Sequence, residues 1–418
     1  MLPWVGVLIV ILTVYAILKR YETRLVLFTA GLLMALIALK PMEAFSQFQK
    51  SMTNAGLISA ICSVMGFAYV MKLTQCDQHL VHAVANTVAR ARAILIPATT
   101  IATFLINIAL PSAAGCAAAV GAVMIPVLMA AGVHPAVAAA AVLAGTFGSV
   151  LSPGSSHIVM VAEMSGASVV DTIATVTPAT VVTGLIGAGV LTILAFLRRE
   201  DRGHASETVT ESPQFRPNPL YALVPIVPLV LLVLGATVPA MKNWGLTVPA
   251  CMLIGTILAL LVTRMNPAEV TKSFFDGMGK AYGDVIGIII AAGVFAAGLT
   301  QVGLIDLLLN AATGARGAIG AAGTWGPFLV AILSGSGDAA TIAFNEAVTP
   351  HAASFGLTIP KLGTLASLAG SLGRSMSPVA GAAIIVSGIA GVNPIEVAKR
   401  NAPGMILASV VAFLMQGL

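Results

Sequence analysis

The sequence predicts an all-α polytopic membrane protein made of two inverted repeats, each carrying a re-entrant hairpin and a broken transmembrane helix. Three observations predict it. Only 9% of the 418 residues are charged and 58% are hydrophobic, whereas about 25% of a soluble domain is charged. Apolar runs of membrane-crossing length recur from end to end, and the chain matches itself at an offset of 225 residues.

With a mean hydropathy of +0.99, the chain has too few charges to cover a water-soluble surface. Runs such as 5–18 and 176–197 approach or reach the roughly 20 residues a helix needs to cross hydrocarbon. Because hydrocarbon offers backbone groups no partners, helices are the expected spanning unit. The start of the chain, residues 1–18, lacks a basic leader region and a small-residue cleavage site, so it reads as a retained first span. Cys62, Cys76, Cys116 and Cys251 are scattered without C-x-x-C spacing and read as small packing residues. The net charge of +5 is accounted for below by topology, so no nucleic-acid partner is expected. No H-E-x-x-H, G-x-S-x-G or P-loop pattern occurs, which argues against an enzyme, an ATP-driven pump and a bound cofactor.

Full spans are expected near 4–19, 25–40, 56–74, 135–170, 172–197, 219–240, 245–264, 283–300, 360–390 and 395–417. Two other apolar regions, 93–131 and 316–355, are each interrupted by a small polar turn. The turns are Leu110-Pro-Ser-Ala-Ala-Gly115 and Ser334-Gly-Ser-Gly-Asp-Ala339. Both regions read as hairpins that enter and leave the membrane on one side. Lys and Arg accumulate in cytoplasmic loops, and this supplies a test. With the N-terminus outside and both hairpins not crossing, fifteen of the 21 basic residues fall inside and five outside (Lys40, Lys50, Lys242, Arg316 and Lys361), with Arg374 left within the membrane. Turning either hairpin into a crossing would invert everything after it and erase the bias. Short amphipathic stretches near 77–92, 267–280 and 304–313 read as interfacial helices.

The 225-residue offset pairs Gly145-x-x-Gly148-x-x-x-Ser152-Pro153 with Gly370-x-x-Gly373-x-x-x-Ser377-Pro378. It also pairs Pro135 with Pro360, Gly166 with Gly391, Asp171 with Glu396 and Pro178 with Pro403. A weaker match at 228 joins Phe67-Ala68 to Phe295-Ala296. The organisation is therefore a first repeat over 1–197, a polar cytoplasmic linker over 198–218 and a second repeat over 219–418. Five crossings and one hairpin per half make the second copy enter from the opposite face. Such inverted repeats let a secondary transporter exchange inward-open and outward-open states.

The glycine- and proline-rich elements sit mid-span. Glycine costs about 1 kcal/mol and proline about 3 in a helix interior, so unwinding is expected near 149–157 and 374–381. Unwound backbone survives in a membrane where it lines a polar cavity. Four helix N-termini, starting near Ser112, Ser156, Asp338 and Gly381, would then meet near mid-membrane. Their unpaired N–H groups and partial positive charge favour an anion. The substrate-binding candidates are Ser112, Ser152, Pro153, Ser155, Ser156, His157, Ser336, Gly337, Asp338, Thr341, Arg374, Ser375 and Ser377. Hydroxyls suit carboxylate oxygens, or alternatively satisfy nearby helix carbonyls. Arg374, expensive at mid-span, is either a fork on a substrate carboxylate or the ion-pair partner of Asp338 or Glu346. His157 either titrates and donates to substrate or is a hydrogen-bonded cavity histidine. Asp338 and Asn107 are the candidates for a coupling ion, Na+ or a proton, while Glu163 and Glu346 are weaker. No structural metal site is expected.

At these residues the sequence resembles the DcuC family of anaerobic C4-dicarboxylate transporters, within the ion transporter superfamily. The resemblance is carried by Ala292-Gly-Val-Phe-Ala-Ala-Gly-Leu299, Gly335-Ser-Gly337 with Ala-Phe-Asn-Glu346, Leu372-Gly-Arg-Ser-Met-Ser-Pro-Val379 and Ile395-Glu-Val-Ala-Lys-Arg400. It implies scaffold and transport domains, an elevator movement and a homodimer formed by the scaffold in the bacterial inner membrane. It also implies exchange or cation-coupled transport of succinate, fumarate, malate or aspartate. The first-half loop Ser152-Pro-Gly-Ser-Ser-His157 departs from the family pattern, which leaves a monocarboxylate, sugar acid or amino acid as the alternative substrate. A channel is the rival of another class.

Overall fold

The computed structural model describes residues 2–19, 21–88, 94–204, 215–307 and 316–417, and among them it contains helices and no β-strand. The interior of the linker (205–214) and most of the expected interfacial stretch 304–313 lie outside the described residues. By length and composition, seven helices among the described residues can cross a membrane, and six shorter apolar helices accompany them.

The N-terminal part runs α1 (Leu2–Leu18), α2 (Thr23–Ile37), α3 (Pro41–Met52), α4 (Ala55–Leu73) and α5 (Cys76–Val88). Then come α6 (Leu95–Ala109) and α7 (Ala113–Ala130), joined by a three-residue tip. Proline and polar caps open many of these helices. Asn54 accepts the N–H of Leu57 before α4, and Ser112 accepts that of Gly115 before α7, each satisfying one orphan donor of the first turn.

Next, α8 (Pro135–Ala144) breaks into a short 3-10 turn (Gly148–Leu151) before α9 (Ser156–Ser165), and α10 (Val169–Leu197) follows. The second half repeats that plan. It runs α11 (Pro219–Leu223), α12 (Val227–Thr237), α13 (Val248–Thr263), α14 (Pro267–Ala281) and α15 (Gly287–Gln301). A second pair, α16 (Arg316–Ser334) and α17 (Gly337–Ala347), meets at a two-residue tip. Then α18 (Ile359–Arg374), α19 (Gly381–Ala390) and α20 (Pro394–Ala412) close the chain.

Both expected breaks form, and their boundaries keep the 225-residue register. Thus α9 at 156–165 maps onto α19 at 381–390, and α10 and α20 start at 169 and 394. Gly166 and Gly391, which end α9 and α19, share a left-handed backbone with φ of 67° and 66°, a conformation that favours glycine.

Three expectations about elements are corrected. Residues 41–52, to which hydropathy assigns no element, form the amphipathic helix α3 with Pro41 at its first turn. The expected span 219–240 is interrupted between α11 and α12, because Pro225 and Pro228 each lack an amide N–H for a continuous helix. The interfacial stretch 267–280 and the span 283–300 are not separate. They join through a π-helical turn, Tyr282–Ile286, into one element.

The described residues form two large hydrophobic cores and two small clusters, around Phe355 and around Ala35. One large core gathers α5 to α10 with α18, α19 and α20, around Leu143, Phe147, Leu365, Leu372 and Met405. The other gathers α1, α2, α4 and α12 to α15, around Met34, Phe67, Met252 and Phe295, and receives Met160 of α9 and Ile342 of α17. Glycine sets the approach of α2 to α15. A Cβ on Gly298 would lie 2.6 Å from the Gly31 carbonyl oxygen, so the two backbones touch, as small residues permit in membrane helix pairs.

Candidate functional site

The two hairpin tips and the two helix breaks meet at one cavity of about 300 Å³. Its wall contains the first residues of α7 (Ala113, Ala114), α9 (Ser156, His157), α17 (Gly337, Asp338) and α19 (Gly381, Ala382). All four expected helix N-termini therefore face one space.

Their caps differ. Ser112 and Ser336 occupy the first-turn donors of the hairpin arms by accepting from Gly115 N–H and Ala339 N–H. No side chain caps α9 or α19. The first-turn N–H groups of α9 and α19 thus have no side-chain cap, at residues that line the cavity, as an anion site at a helix start requires.

Three ionisable side chains join the wall. His157 is buried, with Nδ1 3.1 Å from Ser155 Oγ and Nε2 2.8 Å from Asp338 Oδ1. Arg374 Nη1 lies 3.5 Å from the same Asp338 oxygen, and Nη2 donates to the Thr146 carbonyl at 3.0 Å. Among the described residues the buried Arg374 Nε has no hydrogen-bond partner. Only 10% of the Arg374 side chain is exposed, against 48% for Asp338, so the carboxylate is the more open of the pair. The Arg374–Asp338 pairing weighed from the sequence is present, yet it is long for a charged hydrogen bond and leaves one guanidinium donor free.

The other expected residues separate into two groups. Ser112, Ser155, Ser156, Ser336 and Gly337 line the cavity with the charged trio. Ser152, Pro153, Thr341, Ser375, Ser377 and Asn107 stand behind that wall. Ser375 and Ser377 donate to the carbonyls of Ser371 and Ile332, and Thr341 donates to that of Ala366. Ser152 Oγ accepts from Gly154 N–H, and Pro153 is buried. Asn107 ties the first hairpin to the first break, since its Oδ1 accepts Ser149 N–H at 2.7 Å while its Nδ2 donates to Leu110 O. Glu163 and Glu346 do not line the cavity.

The second tip is fixed by backbone geometry. Gly335 has φ of 77°, and a Cβ there would lie 2.7 Å from the Val379 carbonyl oxygen. The tip presses directly on the second break.

Several site residues were not found by sequence reasoning. Thr146 offers the carbonyl that orients Arg374, and Asn401 donates to Ser375 O within the second break. The far wall is apolar, formed by Ile61, Val64, Met65 and Ala68 of α4 with Val285 of the π-helical turn. Chemically, the space offers a guanidinium, two uncapped helix ends and a carboxylate–imidazole pair on one side, and hydrocarbon on the other. That combination is suited to a compact anion with an aliphatic body.

A family model of C4-dicarboxylate anaerobic carriers, DcuC, matches residues 2–416. The anaerobic C4-dicarboxylate transporter DcuC of Escherichia coli is 28% identical over 454 residues, covering 98% of this chain and 95% of its own. An uncharacterised transporter of Haemophilus influenzae is 45% identical over 269 residues, covering 62% of this chain and 96% of its own. Among solved structures, MtrF of Neisseria gonorrhoeae, from a class of antimetabolite efflux pumps, aligns with a TM-score of 0.61 at 12% identity over 92% of this chain and 85% of that one. This last likeness is one of fold.

Proposed function

The chain belongs to the DcuC family of C4-dicarboxylate anaerobic carriers, and from that premise we propose that it is a secondary active transporter of four-carbon dicarboxylates. Succinate, fumarate, malate and aspartate are the substrates, moved by exchange or with a coupling cation. One observation carries the reading: four helix N-termini and Arg374 converge on a single cavity. Its volume of about 300 Å³ is at the small end of the range for ligand pockets, about 300–1,000 Å³. That suits a four-carbon diacid better than a peptide or an oligosaccharide.

In this reading one carboxylate takes Arg374 Nη1, which Asp338 engages only at 3.5 Å, and the other takes the uncapped N–H groups of α9 or α19. The carbon chain lies against Val64, Met65 and Val285. The hydroxyls of Ser112, Ser155, Ser156 and Ser336 border the carboxylates. Ser375, Ser377, Thr341, Ser152 and Pro153 hold the breaks in shape.

The halves are inverted repeats, with the N-terminus periplasmic and the protein in the bacterial inner membrane. The 225-residue register of α9 with α19 and the charge bias of the loops support this. Movement is of the elevator type. The hairpins and broken helices, with their own core, travel against a scaffold built on the second core, through which two copies dimerise. Two features support the movement: the two cores are distinct and meet through Met160 of α9 and Ile342 of α17, and the scaffold side of the cavity is apolar, so few directional bonds break as it slides.

The test is counterflow. Proteoliposomes preloaded with unlabelled succinate are expected to accumulate labelled succinate, saturably and in competition with fumarate. Uptake of a monocarboxylate or sugar acid without any four-carbon diacid would assign another substrate, and non-saturating conductance would replace the transporter with a channel.

A further inference from the structure

We propose that His157 and Asp338 form the proton-carrying pair of this site, with His157 taking up one proton as a dicarboxylate binds and giving it up as the substrate leaves. The inference rests on the dicarboxylate reading above and adds the coupling ion and its residue. Three features of the geometry lead to it.

First, Asp338 is already paired with the arginine. Its Oδ1 is shared by Arg374 Nη1 at 3.5 Å and His157 Nε2 at 2.8 Å. A substrate carboxylate on Arg374 would therefore arrive within a few ångströms of Asp338. Two carboxylates on one guanidinium repel, and such crowding draws in a proton.

Second, the proton has a place that needs no heavy atom to move. With Nε2–H donated to Asp338, the neutral ring accepts Ser155 Oγ–H at Nδ1, 3.1 Å away. After Nδ1 gains a proton it donates, and the same hydroxyl rotates and accepts. The charged ring then holds Asp338 more tightly and releases Arg374 to the substrate. The incoming proton is drawn from the solution on the side to which the cavity is open and leaves on the other.

Third, among the described residues no other ionisable side chain lines the cavity. Of the helices packed on α9, α17 brings Asp338, with Glu346 two turns further along. In addition, α18 brings Arg374, with Lys361 at its far end. The remaining charged groups, Lys72 of α4, Asp171 of α10 and Glu163 of α9 itself, sit toward helix ends away from the wall. Proton and substrate binding are then linked, each tightening the other, so succinate affinity rises as pH falls.

The experiment is titration calorimetry of succinate into the full chain in lipid nanodiscs at pH 7.5, in phosphate and in Tris. The difference in heat between the buffers counts protons taken up. Wild type is expected to take up about one proton per succinate, His157→Gln none, and Glu346→Gln the wild-type number. Should His157→Gln fail to fold, the wild-type count together with the 15N ring shifts of the six histidines before and after succinate decides. Succinate binding without proton uptake in wild type overturns the pair and leaves the dicarboxylate reading standing. Uptake that survives His157→Gln, or vanishes in Glu346→Gln, places the proton elsewhere and also overturns it. If no four-carbon diacid gives a binding heat, the underlying reading fails and takes the pair with it.

Discussion

Replacing Arg374 by lysine separates charge from shape at the centre of the site. The guanidinium is held from behind by the Thr146 carbonyl at 3.0 Å and is weakly engaged by Asp338 at 3.5 Å, while Nε is unpartnered. Lysine keeps the positive charge, so Asp338 is not left as an uncompensated anion. It loses the planar fork, and with it one charged hydrogen bond to the substrate. Such bonds contribute about 1.5–3 kcal/mol, so succinate affinity should fall roughly 10- to 150-fold, each 1.4 kcal/mol being a factor of about ten. Arg374→Ala removes the charge as well. A dicarboxylate about 4 Å from Asp338 then meets a repulsion of about 4 kcal/mol at an effective dielectric of about 20, and binding should be undetectable. Adding Asp338→Asn to Arg374→Ala removes that repulsion and should bring part of the affinity back. The assay is calorimetry in nanodiscs at one pH, with melting temperature recorded for each variant. If Arg374→Lys melted like wild type and bound succinate within twofold of it, Arg374 would not touch the substrate.

Further expectations concern the frame around the site. Gly335→Ala places a side chain at φ of 77° and 2.7 Å from a carbonyl oxygen. It should cost about 1–3 kcal/mol in backbone strain and abolish counterflow before it abolishes folding, as read by paired melting and transport assays. Asn107→Ala strips the acceptor from buried Ser149 N–H and should destabilise by about 1–3 kcal/mol. If Asn107 is purely a positioning residue, raising Na+ will not repair the loss; restoration by Na+ would make it an ion ligand. Ser112→Ala and Ser336→Ala should each cost about 0.5–2 kcal/mol through lost caps in denaturation measurements. Glu200→Gln leaves Arg400, 8% exposed, with Glu396 as its one remaining ionic partner among the described residues. The expected loss is roughly 2 kcal/mol, below the 3–5 of a fully orphaned buried charge, seen as a lower melting temperature.

The parts of the fold that the sequence revealed are those where it breaks its own hydropathy. The Gly-x-x-Gly-x-x-x-Ser-Pro elements stand out because helices tolerate them badly, and the structure interrupts α8–α9 and α18–α19 there. Arg374 stands out because a mid-span guanidinium is costly. What stayed hidden lacks such contrast. An apolar residue facing a cavity, such as Val64, reads like one facing lipid, so the far wall was invisible. The π-helical turn at Tyr282–Ile286 depends on packing and has no residue pattern of its own. A serine hydroxyl offers no sign of its direction. Ser156 lines the cavity while Ser377 turns back to Ile332 O, and the two are chemically the same. Helix α3 was missed because its apolar face is short and its polar face resembles a loop.

The convergence of helix N-termini on an anion is tested most directly by an electron-microscopy map of the chain in nanodiscs saturated with succinate. Elongated density is expected between Arg374 and the first turn of α9 or α19, with its middle against Val64 and Met65. Succinate bound elsewhere with this cavity empty, or residues 145–155 and 375–380 running as unbroken helix, would contradict it.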